Sequence, residues 1–203
     1  MKHWFAAGLI CLSITSGAVA EEKHSQLDAH EHGHGSFNIA IEGKKVSMEL
    51  EAPGADIVGF EHKASTKKQK NAVSSAKNKL KKLANIVIIP AAAGCKVTNA
   101  SVELHIEGDD DHAHGKKKAK HDHGHKHGKK KAKKEAEEES HSEFHAEYQL
   151  TCKSPEKLAE LTFPYFKSFK GAQELEVSVA GPKTQKKFEV ERDTGKISLG
   201  GII

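Results

Sequence analysis

Three observations place this chain in the α+β class, with a mainly antiparallel β-sheet, one long amphipathic helix and a disordered His/Lys-rich insertion. Most apolar residues alternate with polar ones in short runs, as half-buried strands require. A single stretch instead repeats its apolar residues at three- and four-residue steps, the period of a helix with one buried face. A long charged tract with no apolar period then interrupts the strands.

The elements follow in chain order. Residues 1–20 read as a secretory signal: Lys2 gives the positive start, Trp4 to Ile14 the apolar stretch, and Ala18-Val19-Ala20 the small-residue cleavage pattern before Glu21. Residues 21–35 are polar and His-rich. In the segment 36–107, Phe37, Ile39 and Ile41 alternate with polar residues, Glu42-Gly43-Lys44 turns, and Val46, Met48 and Leu50 alternate again, which predicts a hairpin ended by Pro53-Gly54. Thr66 and Gln69 have capping-box spacing, and Val73, Ala76, Leu80 and Leu83 make the buried stripe of a helix over about 66–83. Ile86 to Ile89 reads as a short strand stopped by Pro90. Residues 108–142 form the insertion, and 143–203 supply the remaining strands. There Phe144 to Cys152 alternate, Ser154-Pro155 predicts a short helix through about Leu161, and strands fall around 175–179, 188–190 and 197–199.

Cleavage after Ala20 removes Cys11 and leaves Cys95 and Cys152, which in an oxidising compartment pair most simply as one disulfide. That bond predicts a register. With Cys95 opposite Cys152, Val97 faces Leu150, but continuing unchanged would set Glu103 against Phe144 and bury a carboxylate. The apolar residues also slip from odd to even positions between Val97 and Ala100, so a one-residue bulge is expected near Thr98-Asn99. Beyond it Leu104 faces Phe144, while Glu103 meets His145 and His105 meets Glu143 on the polar face. Such pairs either orient metal-bound histidines or sit in water; water is the favoured reading, because surface pairs are worth little.

Composition narrows function. A formal net charge of +4 is too slight to argue for nucleic acid. Nothing after residue 20 approaches the ~18 apolar residues of a membrane span, so no stable membrane insertion is expected. No nucleophile elbow, His-Glu-x-x-His, Cys-x-x-Cys or phosphate-cradling loop occurs, so an enzyme is not expected. The 15 histidines are the outlier.

Imidazole is a borderline-soft donor suited to zinc, copper and nickel. His30, His32 and His34 alternate before the first strand, and His112, His114, His121, His123, His125 and His127 alternate in the insertion. An extended chain can wrap such residues about one ion, with Asp122 adding carboxylate oxygen. His141 and His145 stand at the insertion's exit, and Glu61 and His62 lie near enough in the pattern to join as further ligands, though a hydrogen-bonded surface role suits His62 better. No rigid four-ligand zinc spacing is visible. The residues alone therefore give a late transition metal, with nickel or copper open beside zinc. Copper is disfavoured because no Met follows Met48 and soft sulfur selects Cu(I). A structural or partner-binding envelope domain with an incidental His tract is the reading from a different class.

The runs His32-Gly33-His34-Gly35, Ala52-Pro53-Gly54-Ala55-Asp56-Ile57-Val58-Gly59-Phe60-Glu61-His62 and Ala92-Ala93-Gly94-Cys95 resemble the zinc-regulated periplasmic ZrgA family of Gram-negative bacteria. The likeness spans the mature chain, and Ala55 to His62 is its most specific part. It implies a periplasmic accessory of zinc acquisition that captures or buffers Zn2+ and works with inner-membrane metal transporter components. Zinc, as distinct from its neighbours, comes from this resemblance.

Overall fold

The computed structural model describes residues 31–106 and 141–203. The described part is mostly β-sheet with few helices. Strands β1 (His34–Glu42) and β2 (Lys45–Pro53) form the expected hairpin, Phe37 opposite Leu50 and Ile41 opposite Val46. A five-residue helix α1 (Gly54–Val58) follows at once, and α2 (Lys67–Leu80) comes next. Strand β3 (Lys96–Ile106) pairs antiparallel with β4 (Ser142–Thr151), and β4 pairs in turn with β2. Then come β5 (Glu160–Thr162), the one-turn helix α3 (Tyr165–Ser168), β6 (Glu174–Ala180), β7 (Gln185–Glu191) and β8 (Lys196–Ser198).

The main sheet has the order β3-β4-β2-β1-β6-β7, and β5 with β8 makes a small second sheet. Strands β1 and β6 run parallel; every other pairing in the two sheets is antiparallel. One face of the large sheet is apolar. Phe37, Ile39, Val46, Leu50, Phe144, Tyr148, Leu175 and Val177 project from it and are all buried. Burying each such side chain contributes about 1.5–3 kcal/mol. Helix α2, the 3-10 turns and the small sheet supply the other half of the core through Leu80, Leu83, Ile86, Leu158, Leu161 and Tyr165. The Tyr148 hydroxyl donates to the Leu80 carbonyl and ties β4 to the end of α2. The opposite face is polar and open.

Cys95 and Cys152 are disulfide-bonded. The β3–β4 register has the expected bulge: Val97 faces Leu150, Asn99 faces Gln149, and Thr98 is the extra residue. Beyond it Leu104 meets Phe144, Glu103 meets His145 and His105 meets Glu143.

Other expectations need correction. Ile86 to Ile89 is not a strand: Ile88 makes a single bridge to Thr162, and Ile86 and Val87 are both buried, which alternation forbids. Helix α2 ends at Leu80, yet Leu83 stays buried in the next 3-10 turn, so the apolar stripe outlasts the helix. Ser154-Pro155 opens only the 3-10 turn Pro155–Lys157, without a side-chain cap, because residues 160–162 pair with β8 instead of continuing a helix. His141 and Ser142 do not belong to the insertion. Ser142 is buried and begins β4, and a Cβ on Gly54 would lie 2.2 Å from its hydroxyl, so only glycine lets the start of α1 approach β4 there.

Candidate metal centre

The run from Ala55 to His62 builds a site at the rim where β1, β2 and β4 meet. Pro53 ends β2 and leads straight into α1, which Gly59 closes in the left-handed conformation. This short turn of helix aims Asp56 inward. The Asp56 carboxylate is 4% exposed and accepts the Gly33 N–H on both oxygens, at 2.8 and 3.0 Å. Burial pushes this carboxyl up from the ordinary range, against the pull of the Gly33 N–H and the His32 ring. Gly33 has φ +94°, and a Cβ there would touch Gln173 at 3.0 Å. A buried acid thus pins the middle residue of His32-Gly33-His34 in a conformation that favours glycine.

Glu61 lies just past α1, its side chain 11% exposed. His141 Nδ1 is 2.9 Å from Glu61 Oε2, within hydrogen-bonding distance, and His32 Nε2 is 3.1 Å from Oε1. The second contact is not aligned as a hydrogen bond, so buried Oε1 has no hydrogen-bond donor among the described residues. One carboxylate therefore meets a histidine from the amino-terminal tract and one from the exit of the insertion. Both oxygens face imidazole nitrogen, and one of them is free to bind a cation. His32 is 61% exposed at its side chain, so its ring has room to turn toward an ion shared with His141.

His34 takes a different direction, with Nδ1 3.6 Å from Glu174 and Nε2 3.9 Å from Glu31. His62 is not with them. It stacks on Phe60 with centroids 5.0 Å apart and reaches the Lys63 carbonyl and the Gln69 side chain, which also closes the capping box of α2. This is the surface hydrogen-bonded role. His30, His112, His114, His121, Asp122, His123, His125 and His127 lie outside the described residues.

The profile described as ZrgA family zinc uptake protein matches residues 29–199. The chain belongs to the ZrgA family. A role in zinc uptake follows, and the run from Ala55 to His62 acquires physical reasons: Asp56 clamps Gly33, Gly59 ends α1, and Glu61 joins two histidines. A comparison with curated proteins found no match.

A second group surrounds His145, which the sequence singled out without the carboxylates near it. The open face near the same rim carries Glu49, Glu51, Glu143 and His145. His145 Nε2 is 2.6 Å from Glu143, which is only 9% exposed, and its ring packs edge-on against His105 at 4.5 Å. The solvated reading of this end of the sheet is therefore corrected for Glu143, although His105 itself is 54% exposed at its side chain. Alternation alone could have found the group, because Glu49, Glu51, Glu143 and His145 all sit at odd positions of adjacent strands.

Proposed function

We propose that this chain is a periplasmic zinc-binding protein, not an enzyme, that captures or buffers Zn2+ through its His-rich segments. It then supports uptake by inner-membrane metal transporter components. Zinc is its cargo. The observation that carries the reading is the largely buried Glu61 carboxylate, shared by His32 and His141, with its buried Oε1 lacking a hydrogen bond. A buried carboxylate without a full set of donors is costly, and a divalent ion between it and two imidazoles offsets that cost. The donor set, two nitrogens and one oxygen, suits zinc with a fourth position left to water or an exchanging ligand. Asp56 supports it by fixing the backbone between His32 and His34.

The test is a chelator-competition titration of the mature chain against Glu61→Gln, which keeps the side chain's shape and removes its charge. Weaker zinc binding with the fold intact is the expected result. Unchanged affinity and stoichiometry would remove Glu61 from the site. Osmotic-shock fractionation of cells tests the compartment, and loss of the chain from the periplasmic fraction would overturn that part.

A further inference from the structure

The open face of the sheet holds a second histidine–carboxylate cluster on strands rather than on tracts. Antiparallel pairing sets Glu51 directly opposite His145 and Glu49 opposite Glu147. One ligand atom each from Glu49, Glu51 and His145 lies within 4.8 Å of the others, and all three residues are half-buried. His145 Nδ1 is 3.8 Å from Glu51 Oε1. That is too long for a hydrogen bond, and a little wider than the roughly 3.4 Å that separates two ligands of a tetrahedral zinc with bonds of about 2.0–2.1 Å. A small side-chain adjustment closes the difference.

The rest of the ring's surroundings point the same way. Nε2 of His145 is held at 2.6 Å by buried Glu143, so in the neutral ring the proton sits on Nε2 and the lone pair of Nδ1 faces Glu51. Metal-bound histidines are oriented in this manner, with a carboxylate behind the ring fixing the tautomer. His105 packs against the ring, and Ser36 Oγ donates to Glu51 Oε2 at 3.2 Å, so His145 and Glu51 are each steadied by a neighbour. Ligands on adjacent paired strands are also held more firmly than ligands on a loop.

We propose that Glu49, Glu51 and His145 form a zinc site in the ordered sheet, with Glu143 as the positioning residue for His145. It rests on zinc being the cargo and is separate from the Glu61 cluster. Three protein ligands leave one coordination position open, which makes the site exchangeable and suits transfer more than storage.

The experiment is NMR of the whole mature chain, 15N-labelled and titrated with zinc chloride. Saturating zinc should shift the amides of residues 49–51 and 143–147 and move the His145 Nδ1 resonance as a metal bond does. In Glu49→Gln/Glu51→Gln these shifts should vanish while His32 and His141 still respond, and a dispersed spectrum shows that the fold survives. Glu143→Gln should weaken the His145 response about 10–100-fold and change the ring's tautomer signature, which a merely structural residue would not do. A silent His145 at saturating zinc in the natural chain, or an equal response in the double variant, overturns the proposal. Response at His145 without response at His32 or His141 leaves this site standing and removes the Glu61 reading; the converse does the opposite.

Discussion

At the scale of single residues, the chain's histidines matter less than the carboxylates that hold them. Asp56 is the clearest case, a buried acid whose two oxygens serve one backbone N–H. Asp56→Ala leaves that N–H without its partner and should cost about 1–3 kcal/mol in urea unfolding, with weaker zinc binding as His32 loses its anchor. Asp56→Asn keeps one acceptor oxygen and should lose less; equal stability of all three proteins would refute the clamp. His145 provides a pH test in zinc-free protein. The Glu143 hydrogen bond raises its pKa above the ordinary 6.5, against desolvation, with Glu51 and Glu49 adding in the same direction. A raised folded value means the pair stabilises the fold fully below the unfolded pKa and loses that contribution as pH rises through the folded one. NMR titration should place His145 above an ordinary histidine, and Glu143→Gln should return it toward one. The histidine tracts were legible in composition, whereas the burial of Asp56 and Glu143 was not, because a buried acid and a solvated one look alike in sequence.

At the scale of elements, β3 and β4 show how far alternation can be read. The slip of apolar residues between Val97 and Ala100 had one sterically sensible resolution, and Thr98 is the bulged residue. Deleting Thr98 alone keeps Val102 opposite Ala146 and Leu104 opposite Phe144, but deleting Thr98 and Asn99 together would carry Ala100 opposite Gln149 and turn Val102 and Leu104 away from the core. Losing those two side chains from the interior should cost about 2–5 kcal/mol, read as a lower denaturant midpoint. A double deletion as stable as the parent would mean that the disulfide does not hold this register. The Cys95–Cys152 bond secures the same pair of strands at the other end. Cys95→Ser/Cys152→Ser should lose about 2–4 kcal/mol, and the oxidised natural protein should show no free thiol in a thiol assay. The short helices α1 and α3 escaped sequence reading because four or five residues contain too little of a 3.6-residue period. Residues 86–89 failed for the opposite reason: a short apolar run reads equally well as strand or buried turn.

At the scale of the whole molecule, the parallel pairing of β1 with β6 was invisible, since residues 34–40 and 174–180 carry no local signal of each other. Yet it decides what the domain can tolerate. The insertion joins Ile106 to His141, and the strands on either side are already fastened by a ten-residue ladder, by the disulfide and by the pairing of β4 with β2. The tract's composition offers no apolar stripe to pack. Replacing residues 108–139 with a four-residue turn should therefore leave the fold intact. It should even stabilise the zinc-free protein slightly, because shortening the connection by three doublings lowers the closure entropy cost by about 2 kcal/mol. The cut must stop before His141, which meets Glu61, and before Ser142, which packs on Gly54. Zinc stoichiometry should fall, since six alternating histidines leave with the tract, while the remaining binding should still depend on Glu61 and weaken from about pH 7 to 5 as protons compete for imidazole. Calorimetric melting and metal analysis of the two proteins decide the matter. A lower melting temperature would show that the tract packs on the domain, and an unchanged zinc count would move the cargo sites entirely onto the sheet and its rim.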